Sequence, residues 1–167
     1  TLVRMLIKTM YKFALGGKNS HVIVQNPDDK AVVNSIVKVP ITLIRGSGVD
    51  LNQYEYNEEK NENIKVSMAC RLLKDKGVFE YIEASKILKK KYLNVKFELY
   101  GDIDIHNPAS LTSDDIKKIK EEGFVNVYGF SSDIAKVFSD SNIVVLPSYR
   151  EGLPKVLIEA AACGRAV

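Results

Sequence analysis

Cysteine is nearly absent. The 167 residues hold only Cys70 and Cys163, each in apolar surroundings, with no C-x-x-C pair and no neighbouring histidine. That excludes a disulfide-stapled secreted scaffold and points to reduced, structural thiols in a cytoplasmic setting. No run of 18 apolar residues occurs and no signal peptide is legible, so a membrane-spanning helix is not expected. The charge excess is small as well: 24 Lys and Arg stand against 21 Asp and Glu, a net +3 that identifies no partner. A nucleic-acid surface gathers base on one face with aromatics between. Here Lys86, Lys89, Lys90 and Lys91 collect at a helix end, the pattern of a solvated last turn, and no nucleic-acid partner is expected. Internal repeats and low-complexity tracts are lacking too.

What is present is an ordinary folding composition. Apolar residues make up 46% and charged residues 27%, which excludes a wholly disordered chain. The length suits one main domain, or a domain with part of a neighbour. Thr1 is no initiator and Val167 falls where an apolar strand begins, so a piece of a longer protein is expected. Apolar stretches of strand length alternate with amphipathic stretches of helix length. Strands are expected at 21–25, 41–44, 64–70, 95–101, 125–129 and 142–148, and helices near 2–15, 27–36, 76–91, 112–122, 132–139 and 153–162. This alternation predicts an α/β, Rossmann-like parallel sheet with helices on both faces. Thr112 and Asp115 have capping-box spacing and Gly123 follows the same helix, which makes its ends the best defined. The polar run 52–63 reads as a surface loop beside a domain junction.

In open α/β sheets ligands gather at the carboxyl edge, where loops converge and helix N-termini aim free N–H groups. The most specific loop there is "LPSYREGLPK". Gly152 permits close backbone approach, the amides beyond it can cradle an anion, and Pro154 suits a first helical turn. Glu151 stands at the mouth, and Glu159, with seven residues between, lies about 7 Å beyond Pro154 along the helix. A ligand bridging these acids needs hydroxyls at both ends and negative charge between, the shape of a nucleoside diphosphate sugar. Its phosphates call for cations. "ACRLLKDKG" supplies Arg71 directly after a strand, and Lys76 with Gly77 at the next helix start. Arg offers a planar fork and Lys a point charge, and together they can neutralise a departing diphosphate. Lys74 is an alternative to Lys76.

"RLLKDKG" at 71–77, "GVD" at 48–50 and "PSYREGLPKVLIEAAACGRAV" from 147 onward resemble the C-terminal, donor-binding domain of family-4 retaining glycosyltransferases of the GT-B fold. Glu151 and Glu159 match the family's E-x7-E motif, and "SYREG" with "RLLKDKG" is similar to members that build bacterial capsule, O-antigen and other surface polysaccharides. The likeness covers about 40–167 and leaves the sugar open. It implies that Arg71 and Lys76 contact the donor diphosphate, with Glu151, Arg71 and Lys76 carrying the chemistry. It further implies that Glu151 binds sugar hydroxyls, that Gly152 and Leu153 offer backbone amides, that Glu159 holds the ribose, and that Gly129 and Phe130 lie against the base, Phe130 through its backbone. Residues 1–38 resemble the tail of an N-terminal acceptor-binding domain, with 39–167 the donor domain, itself cut short. Such enzymes use a nucleotide-sugar donor, here UDP-linked, and a glycan or lipid-linked glycan acceptor, with no cofactor and usually no metal. Without most of the acceptor domain, the chain alone is expected to bind donor weakly and not to turn over.

Asp102, Asp104 and His106 imitate a D-x-D metal site, which the cationic pair makes redundant, so no metal is expected. His106 reads as a loop residue near the donor and His21 as a strand start. Arg4, Lys8 and Lys12 form one stripe among Leu2, Leu6, Ile7, Met10 and Phe13, which suits a packed helix with one solvated side or a peripheral contact with the inner face of a membrane. A nucleotide-sugar epimerase of related architecture would need more acids and histidines around the sugar. A non-catalytic nucleotide-binding or receiver-like module would want acids where Arg71 stands.

Overall fold

The computed structural model describes residues 2–59 and 63–167. The chain divides into two compact units, residues 1–47 and 48–167. The first contains α1 (Leu2–Leu15), β1 (Val22–Val24), α2 (Pro27–Asn34) and β2 (Ile41–Leu43). β1 and β2 pair in parallel, Val22 opposite Ile41, with α2 as the crossover. Asn26 caps α2 by accepting the Asp29 N–H at 2.7 Å, and Pro27 opens its first turn. Because β2 pairs with β1, the first unit runs to Ser47, beyond the expected division at 38. His21 adjoins β1 and its Nε2 meets the Thr42 hydroxyl at 2.7 Å. α1 differs from a packed helix: none of its residues is buried, and Phe13 is 86% exposed.

The second unit holds a four-stranded parallel sheet in the order β5-β4-β3-β6. Its strands are β3 (Lys65–Ala69), β4 (Lys96–Tyr100), β5 (Asn126–Tyr128) and β6 (Ile143–Val144). The helices between and after them are α3 (Val78–Lys91), α4 (Ser113–Glu122), α5 (Ile134–Ser139) and α6 (Lys155–Ala162). Side chains alternate across a strand, and β3 shows the consequence. Val66 and Met68 pack with Val78, Tyr81 and Ile82 of α3 and Ile119 of α4. Ala69, on the opposite face, packs with Phe138 of α5 and Ala160 of α6. Each face of the sheet is therefore covered by its own pair of helices.

Thr112 and Asp115 form the capping box reciprocally, and Gly123 ends α4 in the left-handed region. The expected elements are all present, several trimmed. β6 shrinks most, from 142–148 to two residues, because Pro147 has no N–H for the ladder and the chain leaves the sheet to pass over the start of α3. The run 52–63 is also more than a surface loop. Tyr54 is buried and stacks on Phe138, with ring centroids 6.4 Å apart. The Asn57 carbonyl accepts from buried Arg165, and Glu59 accepts from Asn142 at 2.7 Å. Residues 60–62 of that run lie outside the described residues. Lys86 pairs with Glu83 and Glu122, both at 2.8 Å.

Candidate functional site

Strand order reverses beside β3, which has β4 on one side and β6 on the other. A crevice opens at the carboxyl end of a parallel sheet at such a point. Two cavities lie there, of about 630 Å³ and about 210 Å³, and Ala69, Cys70, Arg71 and Val156 line both.

Backbone packing brings their walls together. Gly77 has φ 78°, and a Cβ there would lie 2.1 Å from the Pro147 carbonyl oxygen. Only glycine lets the start of α3 press this closely on the loop after β6. The Tyr149 N–H donates to the Asp75 carbonyl at 3.0 Å, and the Tyr149 hydroxyl donates to the Glu80 carboxylate. Lys76 and Glu151 consequently meet, Nζ to Oε1, at 2.6 Å, each side chain about three-quarters buried. On the other side the Leu72 N–H donates to the Asp102 carbonyl at 3.0 Å and the Gly101 N–H to the Gly129 carbonyl at 3.2 Å, lacing the loops after β3, β4 and β5.

The smaller cavity is lined by Arg71, Lys76, Glu151 and Lys155. Three cations and one carboxylate line it, and it abuts the N-terminus of α6, whose first N–H groups have no intrahelical acceptor. α6 begins at Lys155, with Pro154 in the capping position just outside it. Gly152 and Leu153 lie in the turn leading into that cap. Lys155 is a cation the sequence analysis does not single out, although it stands in the quoted loop; a basic residue directly after Pro154 at a helix start is the available signal.

The larger cavity runs over Tyr100, Asp102, Asp104 and Phe130. Phe130 is 76% exposed and its N–H donates to Asp102 Oδ1 at 3.2 Å. Gly129 lines neither cavity but a third, beside Leu72 and Tyr128. His106 is exposed and donates its N–H to Asp104 Oδ1 at 3.3 Å. Asp104 reaches Arg71 at 3.5 Å. The acids of the D-x-D stretch thus serve a loop amide and a guanidinium.

Glu159 lines neither of the two main cavities. It is 7% exposed, pairs with Lys155 at 3.1 Å and accepts the Tyr54 hydroxyl. Burial, then that bond, push the Tyr54 hydroxyl up to about 12. Cys70, on the shared wall, has its thiol pushed up to about 12 by burial, against the pull of Lys76, so it adds no charge there. Among the described residues, no cluster of His, Cys, Asp and Glu suited to a metal ion is found, and no helix is long and apolar enough to cross a membrane.

Residues 51–167 match the family model described as glycosyl transferases group 1. Over 99% of its length the chain is 32% identical to the N,N'-diacetylbacillosaminyl-diphospho-undecaprenol alpha-1,3-N-acetylgalactosaminyltransferase of Campylobacter jejuni, covering 46% of that protein. It is 32% identical over 68% of its length to the capsular polysaccharide biosynthesis glycosyltransferase CapM of Staphylococcus aureus, covering 30% of it. The chain thus spans less than half the length of these relatives. Among solved structures, TarM superposes with a TM-score of 0.74 at 23% identity over 99% of this chain and 31% of that one. HepE of Anabaena, solved with UDP-glucose, superposes with a TM-score of 0.63 at 19% identity over 95% of this chain and 47% of that one. These likenesses establish the fold as that of GT-B glycosyltransferases.

Proposed function

The chain belongs to the group 1 glycosyl transferases, and on that premise we propose that it is the donor-binding part of a retaining enzyme that moves a sugar from a UDP-sugar to a growing lipid-linked glycan of the capsule or O-antigen kind. The second unit, residues 48–167, holds the donor, and the first unit belongs to the acceptor-binding side. The observation that carries this reading is the smaller cavity, where Arg71, Lys76 and Lys155 surround a site at the start of α6 with Glu151 on its wall.

In the reaction the bond between the anomeric carbon and the diphosphate oxygen breaks, and its electron pair leaves on that oxygen. Arg71 and Lys76 stabilise the growing charge, as fixed cations do best in a partly dry site. The amides of Gly152 and Leu153 add dipoles from the helix entrance. Glu151 accepts hydrogen bonds from sugar hydroxyls, and Glu159, which pairs with Lys155 at the edge of the smaller cavity, parts from it to serve the ribose. The base lies in the larger cavity, against Phe130. The acceptor hydroxyl attacks on the face the diphosphate leaves and passes its proton to the departing diphosphate oxygen as the new bond forms. No metal or other cofactor is required, since the cations neutralise the leaving group. Relatives named for undecaprenol-linked and capsular glycans support the acceptor class. The enzyme works at the cytoplasmic face of a membrane, which the exposed apolar side of α1 supports. This chain by itself binds donor weakly and does not turn over.

The test is a calorimetric titration of UDP, GDP and ADP, followed by transfer assays with UDP-sugars in the intact enzyme. UDP is expected to bind best. Glu159→Ala should weaken nucleotide binding, whereas Glu151→Ala should not weaken nucleotide binding but should impair transfer at least about tenfold, the loss of one interaction of about 1.4 kcal/mol. If both variants match wild type in both measurements, the assigned roles are wrong.

A further inference from the structure

We propose that the cations of the smaller cavity are occupied by carboxylates of the same chain when no donor is bound, and that Asp104, by competing for Arg71, sets how tightly a nucleoside diphosphate binds. This rests on the donor reading above and adds a residue to it. Every cation lining the smaller cavity has an internal partner: Asp104 on Arg71 at 3.5 Å, Glu151 on Lys76 at 2.6 Å and Glu159 on Lys155 at 3.1 Å. Carboxylate and phosphate oxygens are the same kind of acceptor for a guanidinium, so a diphosphate entering the cavity must displace Asp104 from Arg71.

Asp104 is suited to yield but not to follow. Its side chain is 32% exposed and that of Arg71 66%, so water screens the pair and it parts readily. Its backbone is fixed: the Asp104 N–H donates to the Ser110 hydroxyl at 2.8 Å, and its own Oδ1 holds the His106 N–H. When Arg71 turns toward a phosphate, Asp104 stays on the wall of the larger cavity as an uncompensated negative charge near the ligand. Glu151 differs, since a donor's sugar hydroxyls replace Lys76 for it. Asp104 has no such replacement, and its cost falls on any diphosphate, with or without a sugar.

The experiment compares UDP and uridine binding by calorimetry in wild type and Asp104→Asn. Asparagine keeps the Oδ1 that accepts the His106 N–H, so the loop retains its shape. UDP is expected to bind about two- to fivefold tighter to the variant at low ionic strength, the range of an exposed ion pair, with the gain fading as salt is added. Uridine, lacking phosphates, should be unaffected. In an Arg71→Ala background the same substitution should have a smaller effect on UDP, since only the repulsion between Asp104 and the diphosphate is then removed. UDP binding that is unchanged or weaker in Asp104→Asn, or a gain shared equally by uridine, overturns the proposal. An intact wild-type enzyme that binds no UDP sinks the donor reading itself, whereas binding without the gain sinks the role of Asp104 alone.

Discussion

Gly77 decides whether Lys76 can meet Glu151. The two are far apart in sequence, and only the close pass of the Pro147 carbonyl over Gly77 brings their loops together. Gly77→Ala places a methyl 2.1 Å from that oxygen and imposes a left-handed conformation on a residue with a side chain. The strain should cost roughly 2 kcal/mol or more. Relief by moving the Pro147 loop would carry Glu151 away from Lys76. A lower urea midpoint together with weaker UDP binding is expected, and an unchanged midpoint would refute the packing role. Sequence alone suggested that Gly77 opens a helix, and the αL turn before α3 agrees, but the tertiary clash that makes glycine obligatory could not be read there. Partner choice was equally hidden. Arg71, Lys76 and Glu151 could be singled out by charge and position, yet their pairings depend on side chains from other loops. That is why the sequence shows Asp104 only as half of a metal imitation and does not single out Lys155.

Elements were legible wherever local chemistry and burial agree. The capping box of α4 and its closing Gly123 are short-range devices, and α4 falls where they place it. β6 is shorter than its apolar run, which continues past the point where Pro147 forces the chain off the sheet. Tyr54 was hidden by its polar neighbours; one aromatic in the run 52–63 is enough to fasten that segment to Phe138. α1 shows the opposite failure. Its pattern suits a packed helix, yet the face bearing Leu2, Leu6, Met10 and Phe13 is exposed, beside Arg4, Lys8 and Lys12, and the helix has no acid. An apolar face with a purely basic border complements an anionic lipid surface. The protein should cosediment with vesicles containing phosphatidylglycerol and not with phosphatidylcholine alone. Replacing Leu6 and Phe13 by serine should abolish this without altering net charge. Equal sedimentation of the variant would show that charge alone drives the contact, and the helix face would then have no part in it.

At the scale of the whole molecule, the second unit buries proton-carrying groups that function does not require to titrate. Cys70 lies on the wall between the cavities, and Tyr81 sits beneath the sheet with its hydroxyl donating to the Val66 carbonyl at 2.8 Å. Burial raises Cys70 from 9.0 to about 12 and Tyr54 from 10.0 to about 12, and it raises Tyr81 and Tyr100 as well. The unfolded chain releases these protons near their ordinary values, whereas the folded one keeps them. Between about pH 9 and pH 12 the unfolded state therefore binds fewer protons, and stability falls as pH rises. Below pH 9 the groups are protonated in both states and contribute no slope. Each such group removes about 1.4 kcal/mol per pH unit once its unfolded form has ionised. Urea midpoints should decline steeply above pH 9 and show no such fall between pH 7 and pH 8 from these groups. Cys70→Ala deletes the group with the widest window among those with stated values, so its alkaline decline should be shallower by about one proton's worth between pH 9 and pH 12. An identical decline in that variant would mean that the thiol ionises in the folded protein as it does in water, and that the wall between the two cavities is wet.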